Sequence, residues 1–359
     1  MNKSQEKVLV LGAGKIGVAV GEMLHETGDF DVQIADAEEQ AFSSGHHDDL
    51  NPLVLDVTDQ SALRGALEGQ NSVVSTLPYY LDLPVAEAAA EVGVNYFDPT
   101  EDVRTARKIR ELAKGAGSVF IPQCGLAPGF IAIVANHLVK HYEEPLDVKM
   151  RVGALPQYPD NALKYNLTWS IDGLINEYCN PCEVIHEGER REVLPLEALE
   201  EISLDGVRYE AFSTSGGIGS LCETLDGQVQ NLNYKTVRYP GHRDMIKMLA
   251  NDLNLCARRE VFKDVIKGGV PLTEQDVVIV FVTVRGIKDG DLHQESYAKK
   301  IYGMEDGGKW SAIQLTTATA ICAVVDLHRE GKVSETGFVM QEEISFDDFI
   351  SNRFGKVYA

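Results

Sequence analysis

The run Gly12-Ala13-Gly14-Lys15-Ile16-Gly17 spaces three glycines as G-x-G-x-x-G, directly after the apolar stretch Val8–Leu11 and at the start of a helix-patterned segment, Ile16–Glu26. Each glycine has a mechanical reason. Gly12 allows a tight turn, Gly14 lets a pyrophosphate approach the backbone, and Gly17 lets the helix pack closely on the strand. Free amides at the helix start, with the helix dipole behind them, suit phosphate oxygens. Asp36 follows Gly17 by 19 positions, at the end of Val32-Gln33-Ile34-Ala35. A carboxylate there accepts hydrogen bonds from ribose hydroxyls and repels a 2′-phosphate, and Ala37 brings no cation to offset it. The expected ligand is a nicotinamide dinucleotide, NAD in preference to NADP. Asp56-Val57 after the third strand and Thr76-Leu77-Pro78 after the fourth are further cofactor stations, since ligands of such sheets lie beyond the carboxyl ends of the strands. Asp56 reads equally well as a helix cap.

A second group of residues could hold a substrate. Cys124-Gly125-Leu126-Ala127-Pro128-Gly129 is an ordered turn at the end of the sixth strand, expected near the nicotinamide. Lys235–His242 reads as a strand, a tight turn and a helix start. Arg238 is a natural fork for a carboxylate, or else half of a structural ion pair. His242 is a proton-transfer candidate or a cap. Phe212–Gly217, a strand-to-helix turn that includes Ser215 and Gly216, could offer amides to a carboxylate or be a plain loop. Asp98 ends the fifth strand, as an acid–base group or the cap of the next helix. Cys179-Asn180-Pro181-Cys182 is a lone C-x-x-C with no second pair, so no metal site is expected. The chain carries neither a Tyr-x-x-x-Lys pair after the fourth strand, nor a P-loop, nor a His-Glu-x-x-His helix.

The elements that must position these residues follow from periodicity. Strand-like runs at Val8–Leu11, Val32–Ala35, Leu53–Leu55, Ser72–Leu77, Asn95–Asp98 and Ser118–Pro122 alternate with helical segments at Ile16–Glu26, Ser61–Leu67, Pro84–Val92 and Val103–Ala113. That rhythm predicts a doubly wound Rossmann α/β domain with a parallel sheet. After Cys124 the rhythm changes. A helix, Phe130–His141, is followed by strands at Val148–Leu155, Tyr165–Trp169, Asn233–Tyr239, Val277–Arg285 and Ser296–Tyr302. Two hairpins are expected to turn at Glu187-Gly188 and Asp205-Gly206. This predicts a second α+β domain with a mostly antiparallel sheet. A long helix, Ser311–His328, is expected to pack back on the first domain. The expected division is 1–125 plus about 311–359 for dinucleotide binding, and 126–310 for substrate binding, catalysis and dimerisation.

Length and composition bound the rest. The 359 residues suit about two domains. The net charge of −22 excludes a phosphate-tracking nucleic-acid binder and a polybasic membrane-surface protein. No run approaches the ~18 apolar residues of a membrane span. Met1–Lys7 carries no apolar signal core. Six cysteines are too sparse for a disulfide scaffold, so reduced thiols in a cytoplasmic protein are expected.

Several motifs together resemble the saccharopine dehydrogenase family: the glycine loop, Cys124–Gly129, Thr236-Val237-Arg238-Tyr239-Pro240-Gly241-His242, Leu155-Pro156, Tyr165–Ser170 and Glu210–Gly217. The middle region looks closest to the lysine 6-dehydrogenases. The resemblance implies NAD(P)-linked oxidation of a C–N bond in a lysine-related amino acid, with Arg238 on the substrate α-carboxylate. Tyr239, Thr168, Ser215 and Gly216 are expected beside it. The chain lacks the long helical insertion of the larger family members, and a lysine after Leu77-Pro78 that some of them carry, so their acid–base assignment does not transfer. The catalytic candidates are His242, Asp98 and Cys124. Competing expectations are saccharopine dehydrogenase proper, a carboxyspermidine-type polyamine dehydrogenase, and a non-catalytic NAD-binding sensor. A homodimer is expected through the second sheet, with no nucleic-acid or membrane partner.

Overall fold

The structure, a computed structural model, describes residues 5–42, 48–303 and 309–359. The N-terminal Met1–Ser4 lie outside them. The chain divides into two compact units, Met1–Phe130 with Gln314–Ala359, and Ile131–Ile313.

The first unit opens with β1 (Glu6–Leu11), α1 (Lys15–Glu26) and β2 (Phe30–Asp36), and continues through β3 (Leu53–Val54), α2 (Gln60–Leu67), β4 (Ser72–Ser75), α3 (Asp82–Val92), β5 (Asn95–Phe97), α4 (Val103–Leu112) and β6 (Val119–Ile121). Val8 to Leu11 are wholly buried, as a central strand covered on both faces requires. Asp59 caps α2 through the Ser61 and Ala62 amides, and Asp102 caps α4 through the Thr105 amide.

The second unit is built on α5 (Phe130–Val139), β7 (Glu144–Pro156), α6 (Ile171–Cys179), β8 (Cys182–His186), β9 (Glu189–Val193), β10 (Glu200–Leu204), β11 (Val207–Ser213), α7 (Leu221–Thr224), β12 (Asn231–Arg238), α8 (His242–Lys247), α9 (Arg259–Gly269), β13 (Asp276–Lys288) and β14 (Asp291–Tyr302). The spatial order is β10-β11-β12-β7-β13-β14, with β8 and β9 attached at β12. All pairs are antiparallel except β12 with β7. Both expected hairpin turns have positive φ at their two central residues, 53° and 81° at Glu187-Gly188 and 51° and 78° at Asp205-Gly206. These are the twist-matched turns that favour glycine second.

The chain then returns to the first unit. In α10 (Ala312–Arg329) the run Ala318–Leu327 is entirely buried. β15 (Gly337–Phe338) pairs in parallel with β6 and makes a seventh strand, giving the order β15-β6-β5-β4-β1-β2-β3. α11 (Phe346–Ser351) sets the Phe349 ring against Phe130 in a tilted pair, centroids 5.1 Å apart.

Two expectations are corrected. Tyr165–Trp169 is not a strand. It makes one bridge, Leu167 to Leu272, and Tyr165 and Leu167 are buried in a cluster with Leu174, Tyr178, Phe212 and Phe262. Burial against helices, not a ladder, explains those apolar residues. The thiols are not all reduced: Cys179 and Cys256 form a disulfide, and the other four cysteines are free and buried. The 77 positions separating the pair hid it from any reading of local spacing.

Candidate active site

The glycine loop is shaped by close contacts. Gly12 has φ 98°, a region that disfavours a side chain. A β-carbon at Gly17 would lie 1.8 Å from the Gly12 carbonyl oxygen. Gly14 is extended (φ −78°) and a β-carbon there would meet nothing within 4 Å. Helix α1 therefore starts on an open backbone, with no side-chain cap and no acidic residue in its first turn. The Asp36 carboxylate accepts from the Ala13 amide at 2.8 Å and the Glu38 amide at 3.0 Å, tying the end of β2 to the loop. Thr76 Oγ1 donates to the carbonyls of Leu11 and Gly12, which fastens the loop to the end of β4. An uncapped helix start behind an open glycine fits a pyrophosphate.

The neighbouring residues divide. Lys15 and Pro78 are exposed, Ile16 and Leu77 half-buried, and Val57 buried. Asp56 is exposed and caps no helix. It accepts from the Thr58 hydroxyl and amide, which hold its pKa below the ordinary carboxylate value.

At the carboxyl edge of the same sheet lies a buried acidic cluster. Asp98 is wholly buried. Its Oδ1 accepts from the Thr100 amide at 2.7 Å and the Gln123 amide at 3.2 Å, while Oδ2 has no hydrogen-bond partner. Asp98 is therefore not the cap of α4. Burial pushes its pKa up to about 6, against the pull of the Thr100 amide. Asp82, at the start of α3, is also buried and accepts from the Ser75 hydroxyl at 2.7 Å. Burial, then the nearby Asp98 charge, raises its pKa well above the ordinary value. Cys124 is buried beside them, bonded through its thiol and amide to the Asp98 carbonyl. Burial and the Asp98 charge keep that thiol protonated.

In the second unit β12 and α8 bring Arg238, Tyr239 and His242 together, and α6 faces them. Arg238 is 2% exposed. It donates to Tyr178 Oη at 3.3 Å and to the Val237 carbonyl, lies 3.7 Å from Glu177, and covers the Tyr165 ring at 4.9 Å. His242 is wholly buried. Nδ1 faces the Leu163 carbonyl at 2.9 Å and must carry its proton there, so Nε2 accepts from Tyr178 Oη at 3.0 Å. Burial, then the Arg238 charge, lowers the His242 pKa to about 3. Both ring nitrogens are thus engaged in a neutral imidazole. Tyr239 donates to the Pro156 carbonyl. Ser215 gives its amide to the Glu177 carbonyl and its hydroxyl to the Pro181 carbonyl, so this loop serves α6; Gly216 supports it with φ 90°. The buried hydroxyls of Thr168 and Tyr165 have no hydrogen-bond partner.

Sequence reasoning missed α6, which carries Glu177 and Tyr178. The signal was present: Ser170 as N-cap, then Leu174, Ile175 and Tyr178 on one helical face. It also missed Asp82, because nothing local distinguishes a buried aspartate in a first helical turn from an exposed one. Among the described residues no cluster could hold a metal ion, and no helix is long and apolar enough to cross a membrane.

Comparison with known proteins gives two matches that adjoin. Residues 8–121 match the model of the saccharopine dehydrogenase NADP binding domain, and residues 125–356 that of the saccharopine dehydrogenase C-terminal domain. The chain is 25% identical over 329 residues to the mitochondrial alpha-aminoadipic semialdehyde synthase of Bos taurus, covering 84% of this chain and 34% of that protein. It is 24% identical over 297 residues to the saccharopine dehydrogenase (NADP(+), L-glutamate-forming) of Pyricularia oryzae, covering 77% and 63%. It thus spans about a third of the length of the mammalian relative. Apo saccharopine dehydrogenase (L-Glu forming) from Saccharomyces cerevisiae shares the fold, with a TM-score of 0.79 at 17% identity over 96% of both chains.

Proposed function

The chain belongs to the saccharopine dehydrogenase family, and from that premise we propose that it is a nicotinamide-dependent dehydrogenase oxidising a C–N bond of a lysine-related amino acid. The observation that carries the reading is the open, uncapped backbone at Gly14 and the start of α1. The amine at Cε of lysine is the first substrate proposed. Saccharopine is the second, the substrate for which the Pyricularia oryzae relative is named.

When bound, the nicotinamide supplies a hydride acceptor. The chain's own part is proton handling and binding. An ammonium nitrogen must lose a proton before its carbon can release hydride. Of the three acid–base candidates Asp98 fits best, since with a pKa of about 6 its carboxylate is charged at neutral pH. His242 has no free nitrogen, and the Cys124 thiol stays protonated. In the second unit Arg238 is proposed as the carboxylate ligand, joining or displacing Glu177. The Thr168 and Tyr165 hydroxyls are the unsatisfied groups of its surroundings.

For the adenosine half we propose NAD. The family description and the fungal relative's name both carry NADP. Against that, a 2′-phosphate at this chain's Asp36 would meet a carboxylate followed by Ala37, Glu38 and Glu39, with no adjoining cation. The homodimer is kept as a proposal, with β14 at one edge of the second sheet among the described residues.

The test is dinucleotide reduction in the presence of lysine or saccharopine, each with NAD and with NADP. Reduction with one of the two amines supports the reading. Tight dinucleotide binding with no turnover on either would overturn it in favour of a sensor.

A further inference from the structure

Asp82 has no role in the reaction as derived so far, yet it is 1% exposed, and the wholly buried Asp98 is near enough for its charge to act on it. The two carboxyls are unequally served. Asp98 accepts two backbone amides, the kind of donor that stabilises a carboxylate. Asp82 accepts the Ser75 hydroxyl and is also bonded by the Thr100 side chain, while the Tyr96 hydroxyl, 3.4 Å from the Asp82 backbone carbonyl, serves the Asp98 carboxyl.

Among the described residues, the groups that act most strongly on Asp82 are neutral or acidic. Around Asp82, β4 contributes Ser75 and β5 contributes Tyr96, while the loop after β5 brings Asp98, Thr100 and a further acid, Glu101. The loop after β6 brings Cys124, against which α10 sets Cys322. No cation stands among the described groups that act most strongly on either carboxyl. Two carboxylates buried together without a cation cannot both be charged.

We propose that Asp82 and Asp98 form a one-proton pair in which Asp98 carries the negative charge and Asp82 keeps the proton, so that Asp82 is a positioning residue that confines the site's charge to Asp98. The mechanistic use of this pair rests on Asp98 being the base proposed above, but its existence does not. At neutral pH one proton is shared by two carboxyls. A proton taken up by Asp98 gives the fully neutral pair, and its loss restores the single charge. The protons of such a pair leave in two steps belonging to the pair as a whole.

The test is an infrared titration of the whole chain labelled with carboxyl-¹³C aspartate, with neither substrate nor dinucleotide present. The wild type is expected to show a protonated aspartyl carbonyl stretch well above pH 7, and its absence would overturn the proposal. Asp82→Asn should abolish that band while leaving a single carboxyl titrating near pH 6. Asp98→Asn should lower the Asp82 midpoint by at least one pH unit, a tenfold change in its proton affinity, because Asp98 is the strongest of the described charges that oppose its ionisation, ahead of Glu101. An Asp82 that merely bonds Ser75 would be ionised in the wild type and would not respond to Asp98→Asn. Either result overturns the pair, whatever the substrate proves to be. In turnover, Asp82→Asn should remove an alkaline ionisation from the kcat profile without changing the KM for dinucleotide, so failure of the dehydrogenase reading remains a separate outcome.

Discussion

Adding one methyl group at Gly17 and one at Gly14 should have opposite signatures, although the two glycines belong to one motif. At Gly17 the new carbon would stand 1.8 Å from the Gly12 carbonyl oxygen and 2.6 Å from Thr76 Oγ1. The first is a backbone atom, so the loop itself must move. Overpacking of this kind costs about 1–3 kcal/mol. If the loop moves away from its phosphate-binding shape to relieve it, dinucleotide affinity falls roughly 5- to 150-fold. Gly17→Ala should therefore lower both thermal stability and affinity. Gly14 has an extended φ that any residue adopts, and open space around it. Gly14→Ala should change the stability of the free protein by less than ~1 kcal/mol, since the smaller entropy of the unfolded chain is offset by alanine's poorer fit at the N-cap of α1. Its methyl group would instead occupy the space assigned to the pyrophosphate, so affinity alone falls. Calorimetric titration with dinucleotide, beside thermal melts of each variant, separates the two effects. Wild-type affinity in Gly14→Ala would refute the placement of the pyrophosphate, and an unchanged melt in Gly17→Ala would refute the close-packing argument.

Other outcomes follow from the same geometry. Asp36→Asn removes one charge where a 2′-phosphate would sit but keeps an acceptor for the Ala13 amide, so the ratio of NADP to NAD affinity should rise about tenfold, read from paired titrations. The folded pKa of His242, about 3, lies below its ordinary 6.5, so its contribution to stability is complete above pH 6.5 and is lost as pH falls toward 3. Asp98 acts in the opposite sense: its folded pKa of about 6 exceeds the ordinary 3.8, so its contribution is present below 3.8 and is lost as pH rises through 6. His242→Gln should thus shrink the wild type's loss of stability between about pH 6 and pH 4, measured by urea unfolding. Cys256→Ser opens the tie between α6 and the turn before α9, and should cost roughly 4 kcal/mol of the second unit's stability on the chain-entropy model. Thiol titration of the denatured chain should give four groups before reduction and six after it.

What could be read from the sequence was local. The glycine loop is legible because Gly12, Gly14, Gly17 and Asp36 act within one strand–helix–strand unit, where spacing alone fixes their positions. The hairpins at Glu187-Gly188 and Asp205-Gly206 are legible because positive φ restricts the residue types that can turn there. What escaped was assembled across distance. Cys256 reaches Cys179, and Gly337–Phe338 finds the edge of β6, from segments with no local sign of their partners. Asp82 and Asp98 belong to one cluster although a whole helix separates them. Burial also altered chemistry that residue type alone suggested. His242 reads as a titrating group, but the Leu163 carbonyl, the Tyr178 hydroxyl and the Arg238 charge make it a fixed neutral link.

The most direct test of the account follows the hydride itself. A lysine-related amino acid deuterated at the carbons bonded to its side-chain nitrogen is turned over, and the reduced dinucleotide is weighed by mass spectrometry. One deuterium per reduced dinucleotide is the predicted result. Turnover that leaves the dinucleotide unlabelled, or oxidised, would contradict the account.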